Sequence, residues 1–390
     1  MIRLLSSLFI PNSENVSDPR VRSAYGILCG IVGIFLNLLL FAGKLTAGLL
    51  TGSIAIVADA FNNLSDAGSS VITLLGFKLA GQKPDPEHPF GHGRIEYISG
   101  LIVSMMIVLM GFELGKSSIE KLIHPEETRS GWIAVAILAV SILVKLYMFL
   151  YNRSVGKKID SAAMRATAAD SLSDSAATAA VLLATILSPL VRPFPIDAVG
   201  GLLVALFILR AGIMAAIDTV SPLLGQPPEP EFVSLIEKTV RAHEEVVGIH
   251  DLIVHDYGPG RQMISLHAEI SDKSDILQAH DLIDNIEQEL RSVLGCEAVI
   301  HMDPIASDDE TVNELRSFLE EQVRSLDPSV TIHDFRMVRG ETHTNLIFDV
   351  VVPFGFRMSD EEVRQEISRI IKSVDRKYFA VIRIDKSYVK

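Results

Sequence analysis

Oxygen-bearing side chains interrupt an otherwise apolar stretch of the sequence, in the run ADAFNNLSDAGSS at residues 58–70. If this run is helical, Asp59, Asn62 and Asp66 fall at i, i+3 and i+7 on one face, with Asn63 beside them. Carboxylate and amide oxygens are ligands that suit hard divalent cations. The run therefore has the residue types and the spacing of one half of a cation site.

A second stretch, ATAADSLSDSAA, places Asp170 and Asp174 four residues apart, again on one helix face. A charged group near the centre of a bilayer costs at least about 2.5–3.5 kcal/mol and usually faces a bundle interior or a polar path. Acids at wet helix ends are the alternative, but two pairs at the same spacing favour a shared ligand. The predicted oxygen cage consists of Asn62, Asp66, Asp170 and Asp174, with Asp59 and Asn63 as outer partners.

The composition places these motifs in a membrane protein with a large soluble part. The 390 residues are 48% hydrophobic and 21% charged, which is too apolar for a soluble enzyme and too charged for a chain wholly in lipid. The first 225 residues carry a net charge of +1, and the remainder carries −14. Such an acidic half argues against nucleic acid as a partner and is compatible with cations.

Six segments are long and apolar enough to cross a bilayer as helices, which takes about 20 residues each. They are residues 26–49, 54–80, 98–118, 131–151, 162–190 and 197–220. The loops after the second and fourth segments hold more Lys and Arg than the loops on the other face, which predicts cytoplasmic termini. We therefore expect a multi-pass protein of the cell membrane, with residues 1–25 as a cytoplasmic segment and 26–225 as an α-helical transmembrane domain.

The second half of the sequence reads as two copies of one small α/β domain. Residues 226–305 predict the order helix, strand, strand, helix, strand, and residues 306–390 repeat it. The phrases GIHDL and TIHDF align between the copies, as do VIHMD and VIRID. A duplicated ferredoxin-like αββαβ unit is the simplest account, and two unrelated α/β domains are the alternative.

This layout resembles the cation diffusion facilitator family of divalent-metal exporters, in which six spans precede a cytoplasmic ferredoxin-like domain. The resemblance rests on ADAFNNLSD and AADSLSD, on the loop HPFGHGRIEYISGL, and on the phrases GIHDL, SLHAE, QAH and IHMDP. It implies a secondary active transporter, not an enzyme, that exports cations by alternating access in exchange for protons. It also implies a homodimer in the lipid bilayer and no organic cofactor.

The ligand set departs from the pattern of the family's zinc members. Those members have His or Asp followed four residues later by Asp in the second span, and His followed four residues later by Asp in the fifth. Here Asn62 and Asp170 stand at the first position of each couple, a pattern similar to the manganese branch. Because imidazole suits zinc and oxygen ligands suit harder ions, we expect Mn²⁺ as the substrate.

Three other functions are alternatives to manganese export. A Zn²⁺, Fe²⁺ or Co²⁺ exporter of the same family stays open, because histidines occur elsewhere in the chain. A membrane-bound metal sensor would account for the soluble repeats but would leave the paired acids in two spans without a purpose. An intramembrane metalloprotease would need a motif such as HExxH in a span, and no predicted span contains it.

The resemblance also implies metal sites outside the spans. In DPEHPFGH, Asp85, His88 and His92 match a loop site of zinc members, and a solvated loop is an equal alternative. In the first soluble repeat, five residues match the family's cytoplasmic metal cluster: His250, His267, His280, His301 and Asp303. Such a cluster, bridging two subunits, would let cytoplasmic metal bias the transporter.

Two further expectations concern basic residues. Arg383 stands in the second repeat where the first has His301, and a cation in the ligand set argues against a metal there. The second repeat is therefore expected to be structural or an added dimer contact. Lys44 and Lys145 lie in or near the ends of the first and fourth spans and are expected to snorkel to the membrane interface.

Overall fold

A computed structural model describes residues 2–16, 18–51, 54–124, 132–187, 196–305 and 309–387. The chain divides into two compact units. The first comprises Met1–Gln226 together with Asp256–Arg261, and the second comprises Pro227–His255 and Gln262–Lys390. The first unit is built from helices, and the second contains helices and two small sheets.

A short helix, α1 (Ile2–Phe9), precedes six long helices in the described part of the first unit. The long helices are α2 (Pro19–Thr51), α3 (Ile54–Ala80), α4 (Ile95–Ile123), α5 (Trp132–Lys158), α6 (Ala162–Leu187) and α7 (Ile196–Leu224). Among the described residues, four of these are apolar enough and long enough to cross a membrane: α2, α4, α5 and α7. The other two, α3 and α6, carry the paired acids and many small residues, which lower their hydropathy.

Small residues let two of the long helices approach each other closely. A Cβ atom built on Gly111 of α4 would lie 3.0 Å from Cγ of Leu209, and one on Gly212 of α7 would lie 2.9 Å from Cγ2 of Val108. Larger side chains at these positions would push the two helices apart. Contacts of this kind are common where helices associate in lipid, since close backbone packing replaces the hydrophobic driving force.

A buried ion pair joins three of the long helices near their starts. Arg22 of α2 donates from two guanidinium nitrogens to the carboxylate of Glu96, which lies at the start of α4. Ser161, directly before α6, donates its hydroxyl to the same carboxylate. Glu96 is 1% exposed. These partners compensate the buried carboxylate, because a buried charge without a partner strongly destabilises a fold.

The second unit runs through the same order of elements twice. Its first half consists of α8 (Pro230–Val240), β1 (Val246–Asp256), β2 (Gln262–Ser271), α9 (Ile276–Leu294) and β3 (Glu297–Ile305). Its second half consists of α10 (Glu310–Leu326), β4 (Thr331–Arg339), β5 (Thr344–Pro353), α11 (Asp360–Val374) and β6 (Tyr378–Ser387). This order agrees with the order predicted from the sequence for both copies. We call the two halves the first and the second repeat.

Each repeat forms a three-stranded sheet, in the orders β1-β2-β3 and β4-β5-β6. Strands β2 and β3 pair in parallel, with His267 opposite His301. Strands β5 and β6 also pair in parallel, with Asp349 opposite Arg383. Corresponding register positions therefore carry a pair of histidines in the first repeat and an acid with a base in the second.

The aligned IHD phrases share an unusual backbone conformation. Asp251 of β1 has a φ of 52°, and Asp334 of β4 has a φ of 53°. Aspartate tolerates this left-handed region better than most residues. In β4 the residue coincides with a shift in strand register between His333 and Arg336. A bulge of this kind interrupts the alternation of side chains between the two faces of a sheet, so that two adjacent side chains can lie on the same face.

Candidate metal centres

Three carboxylates from two helices meet inside the first unit. Asp66 of α3 and Asp170 and Asp174 of α6 each offer one oxygen, and these oxygens lie within 4.8 Å of one another. Asp66 and Asp170 are buried. A hydrogen bond of 2.9 Å between the buried hydroxyls of Thr73 and Thr167 links α3 to α6 near this cluster. The structure therefore brings together three of the four residues predicted to form the oxygen cage.

A lysine from a third helix contacts two of these carboxylates. Nζ of Lys145 on α5 lies 2.7 Å from Oδ2 of Asp66 and 2.6 Å from Oδ2 of Asp174. Lys145 is 2% exposed, so the expectation that it snorkels to the membrane interface is wrong. It lies midway along the 27 residues of α5, about 20 Å from either end by the helical rise. Lys44, for which snorkelling was also expected, is equally buried.

The amide that touches the carboxylates is that of Asn63. Asn63 is buried, and its Nδ2 donates to Oδ2 of Asp66 at 3.2 Å. Asn62, predicted to be the fourth ligand, is exposed in this conformation. The side chain of Asp59, predicted to be an outer partner, lies outside the described part of the structure. Of the two amides in the run, Asn63 is thus the one positioned beside Asp66.

The chemistry of this cluster suits a hard dication. With its three carboxylates ionised and Lys145 protonated, the cluster has a formal charge of −2, which one divalent cation would neutralise. All eleven histidines of the chain lie outside helices α2–α7. The cluster therefore offers oxygen ligands from Asp66, Asp170 and Asp174 without an imidazole beside them.

The loop triad predicted between α3 and α4 also comes together. Asp85, His88 and His92 each offer one ligand atom within 4.8 Å of the others. Nδ1 of His88 and Nε2 of His92 each lie 3.4 Å from a carboxylate oxygen of Asp85. The backbone N–H of His88 donates to Asp85 and, together with the two imidazoles, holds the pKa of that carboxyl below its usual value. In the triad, two imidazoles thus already lie beside one carboxylate, as a metal site would require.

In the first repeat, Asp303 is the centre of the predicted cytoplasmic cluster. Its Oδ2 lies 2.8 Å from Nδ1 of His267 and 3.1 Å from Nε2 of His250. Its Oδ1 lies 3.4 Å from Nε2 of His301. Burial disfavours the charged form of His250, but the carboxylates of Asp251 and Asp303 outweigh burial and raise its pKa. Four of the five predicted residues therefore share one site.

The fifth predicted residue of that cluster lies elsewhere in the repeat. His280 is exposed on α9, where its Nδ1 lies 3.6 Å from Oδ2 of Asp284, one helical turn later. Its neighbour is thus an exposed acid of its own helix rather than Asp303.

Lys145 is the residue of the carboxylate cluster of α3 and α6 that the sequence analysis places at the membrane interface instead. Its position near the middle of an apolar segment is a signal for a buried site, because an ionisable residue there usually faces a bundle interior and pairs with an opposite charge. Asp66 and Asp174 are the partners that this rule would have suggested.

Comparisons with known families cover most of the chain. Residues 30–224 match the family model described as the cation efflux transmembrane domain. Residues 228–305 match the family model described as the cytoplasmic domain of the cation efflux protein. The two matched regions contain all of the candidate sites above, and both end before the second repeat.

Similar full-length proteins are found in archaea and bacteria. An uncharacterised transporter of Methanocaldococcus jannaschii is 31% identical over 281 residues, which are 71% of this chain and 96% of that protein. The cation-efflux pump FieF of Klebsiella pneumoniae is 31% identical over 262 residues, covering 67% of this chain and 87% of the pump. The cation-efflux pump FieF of Cronobacter sakazakii is 32% identical over 270 residues, covering 68% and 88%.

Proposed function

Because the chain belongs to the cation efflux family of membrane transporters, also called the cation diffusion facilitators, we propose that it exports Mn²⁺ from the cytoplasm in exchange for protons. The observation that carries the choice of ion is the cluster of Asp66, Asp170 and Asp174, an all-oxygen set contributed by α3 and α6. Family membership makes the protein a cation efflux transporter. The metal and the coupling are inferred from the chemistry of the cluster.

The absence of imidazole from the cluster favours manganese. Zinc binds most nitrogen- and sulfur-containing sites more tightly than manganese does, so a manganese exporter must omit those ligands. Asp66, Asp170 and Asp174 supply hard oxygens, and an amide, from Asn62 or Asn63, would supply a fourth. Such a set removes most of the advantage that zinc gains from imidazole.

The charge of the cluster supports exchange for two protons. With Lys145 the cluster carries −2, so that one Mn²⁺ makes the loaded site neutral. When the site opens to the outside and the metal leaves, two protons on the carboxylates would restore neutrality for the return. Since charge buried in a membrane interior is costly, both crossing states would then be uncharged. Lys145 would fill the space between Asp66 and Asp174 after the metal has left.

The proposed arrangement in the membrane follows the family. All six long helices, including the polar α3 and α6, would cross the bilayer within residues 26–225 of a multi-pass cell-membrane protein. Residues 1–25 and both carboxy-terminal repeats, 226–305 and 306–390, would be cytoplasmic, and each repeat would be a ferredoxin-like αββαβ domain. The cytoplasmic domain of residues 228–305 would mediate a homodimer.

The sites outside the helices are proposed to bind cytoplasmic metal. Asp85, His88 and His92 form one such site, and the cluster around Asp303 forms another. Metal on the Asp303 cluster would favour one conformation of the transporter if the two conformations bind it with different affinity. His280, exposed on α9, is available to a neighbouring subunit.

The test is transport by the purified full chain in liposomes. We would follow entry of Mn²⁺ and Zn²⁺ under a pH gradient for the wild type, for Asp66→Ala and for Asp170→Ala. Asp218→Ala is the matched control, because Asp218 is an exposed carboxylate on α7. We expect Mn²⁺ flux well above Zn²⁺ flux in the wild type and the control, and its loss in the two site variants.

Other outcomes would select the rival interpretations. Zn²⁺, Fe²⁺ or Co²⁺ flux equal to Mn²⁺ flux would replace manganese export by broad divalent export. Mn²⁺ flux that does not depend on the pH gradient would refute proton exchange. Tight binding of metal without any flux in the wild type would favour a membrane-bound metal sensor.

A further inference from the structure

The two repeats of the second unit meet at a cluster of ligand-type side chains that, apart from His250, the proposed function does not use. The imidazole rings of His250 and His333 stack with centroids 4.5 Å apart and planes at 27°. Ligand atoms of His250, Asp251 and His333 lie within 4.8 Å of one another, as do those of Asp251, Asp349 and Asp385. We propose that this inter-repeat cluster binds a divalent first-row transition metal ion, with Asp251 and His333 as ligands from opposite repeats.

Several buried polar atoms around the cluster complete no hydrogen bond with a described residue. The side chain of His250 is 5% exposed, and its ring nitrogens lie 3.9 Å from Asp251 and 3.1 Å from Asp303 in geometries that complete no hydrogen bond. Within the described residues, both ring nitrogens of His333 and Oδ2 of Asp385 also complete no hydrogen bond. Buried polar atoms without partners are costly and uncommon in folded proteins. A bound cation would give these nitrogen and oxygen atoms, which come from both repeats, a common partner.

The neighbours of the two IHD aspartates explain why Asp251, and not Asp334, belongs to the cluster. Asp251 and Asp334 have the same left-handed conformation in the two repeats. In the second repeat, Asp334 pairs with Arg336 at 2.6 Å. The residue that corresponds to Arg336 in the first repeat is Ile253, which offers no charge. The two repeats have therefore diverged so that Asp334 is neutralised locally and Asp251 faces Asp349 and Asp385.

Arg383 does not exclude a metal from this position. Its side chain is 69% exposed, with Nε 3.3 Å from Oδ1 of Asp385 and an outer nitrogen 3.8 Å from Asp349. The other oxygen of Asp385, Oδ2, stays buried. Arginine on one oxygen of a ligating carboxylate is an outer partner that orients the ligand. Arg383, expected from the sequence to disfavour a metal in the second repeat, thus leaves Oδ2 of Asp385 available to one in this cluster.

Charge and ligand type define the expected ion. Three carboxylates and one guanidinium leave a formal charge of −2, which a dication balances. Two imidazoles and three carboxylates form a mixed set that accepts Mn²⁺, Fe²⁺ or Zn²⁺. His250 lies between this cluster and the Asp303 cluster, with Nδ1 3.9 Å from Asp251 and Nε2 3.1 Å from Asp303. His250 can therefore be a ligand for an ion in the inter-repeat cluster or in the Asp303 cluster.

The test counts metal ions bound by the full chain. An Asp170→Asn background removes a ligand of the transport cluster, so that the result does not depend on the proposed transport site. In that background, protein in detergent is stripped with EDTA and dialysed against MnCl₂ or ZnCl₂, and metal per chain is measured by atomic emission. We expect the double variant Asp349→Asn with Asp385→Asn to bind one ion fewer per chain with at least one of the two metals.

Asp334→Asn is the control, because it makes the same substitution at a carboxylate of the second repeat that pairs with Arg336 and is not part of the cluster, and asparagine tolerates the left-handed backbone. It should bind as many ions as the background. Equal metal counts for the double variant and the background, with both metals, would overturn the proposal. If the double variant fails to fold, His333→Gln decides the question. It should weaken one binding step about tenfold or more, and unchanged affinities would overturn the proposal.

Discussion

Nζ of Lys145 lies 2.7 Å from Oδ2 of Asp66, although 79 residues separate them in the chain. The ammonium thus lies where a cation held by Asp66 and Asp174 would have to lie. Under the proposed function, a metal that enters this cluster must displace the ammonium or bind beside it, so Lys145 competes with the metal for these carboxylates. Asp170 completes the cluster, in which the ammonium of Lys145 offsets one of the three carboxylate charges.

Replacing Lys145 by methionine should remove this competition. The cluster would change from −2 to −3, so we expect the apparent KM of Lys145→Met for Mn²⁺ to fall about tenfold, which corresponds to about 1.4 kcal/mol. The maximal rate should fall as well, since metal release and the return of the unloaded carboxylates become harder. Liposome flux measured against Mn²⁺ concentration gives both quantities. Lys157→Met, an exposed lysine of the same helix, should change neither. An unchanged KM in Lys145→Met would reduce Lys145 to a structural role.

The two amides of the run should behave differently when removed. Asn63 donates to Asp66, whereas Asn62 is exposed. We therefore expect Asn63→Ala to raise the KM for Mn²⁺ more than Asn62→Ala does in the same flux assay. The reverse order would show that α3 rotates to bring Asn62 into the cage when metal binds, and would restore the residue predicted from the sequence.

The Arg22–Glu96 pair should be a main determinant of stability in the first unit. Arg22→Met leaves the carboxylate of Glu96 buried without its main partner, a type of change that costs about 3–5 kcal/mol. We expect a markedly lower melting temperature in detergent for this variant. The double variant Arg22→Met with Glu96→Gln should recover part of the loss, because no uncompensated charge remains. No recovery in the double variant would mean that packing around Arg22, rather than charge, carries the effect.

The stability of the second repeat should depend on pH through Asp349. Burial and the neighbouring carboxylate of Asp385 raise the pKa of Asp349 to about 6, from an ordinary value of 3.8. The folded state therefore holds this proton more tightly than the unfolded state does. The resulting stabilisation is complete below about pH 3.8 and is lost as the pH rises to about 6.

In metal-free buffer, Asp349→Asn should therefore melt at a higher temperature than the wild type near pH 7. The difference should shrink towards pH 4, where the wild-type carboxyl is protonated. Thermal scans of the full chain with EDTA across this range measure the effect, with Asp334→Asn as the control. A difference that stays constant with pH would contradict the assignment.

Local patterns in the sequence predict the shared helix face of Asp170 and Asp174, the long helices of the first unit and the repeated order of elements in the second. The spacing of Asp170 and Asp174 identifies a polar helix face without knowledge of the fold, since it depends on helical geometry alone. The shared IHD phrase likewise reveals a repeat. The partners of these residues could not be predicted in the same way. That Lys145 meets Asp66 depends on how α5 packs against α3 and α6, which no local pattern contains.

The choice between Asn62 and Asn63 shows the same limit. Neighbouring residues of a helix point about 100° apart, so the rotation of α3 about its own axis decides which amide faces Asp170 and Asp174 of α6. The meeting of Asp251 with Asp349 and Asp385 depends on how two sheets dock. Each repeat alone carries part of that cluster, and its completion is a property of long-range packing.

The two repeats belong to one chain, in which β3 ends at Ile305 and α10 begins at Glu310. Joining two interacting parts in one chain makes their association intramolecular, at an effective concentration that does not depend on the amount of protein. The contact of His250 with His333 is therefore insensitive to dilution, unlike a contact between separate subunits. A cell that makes few copies of this protein would keep that interface assembled as fully as a cell that makes many.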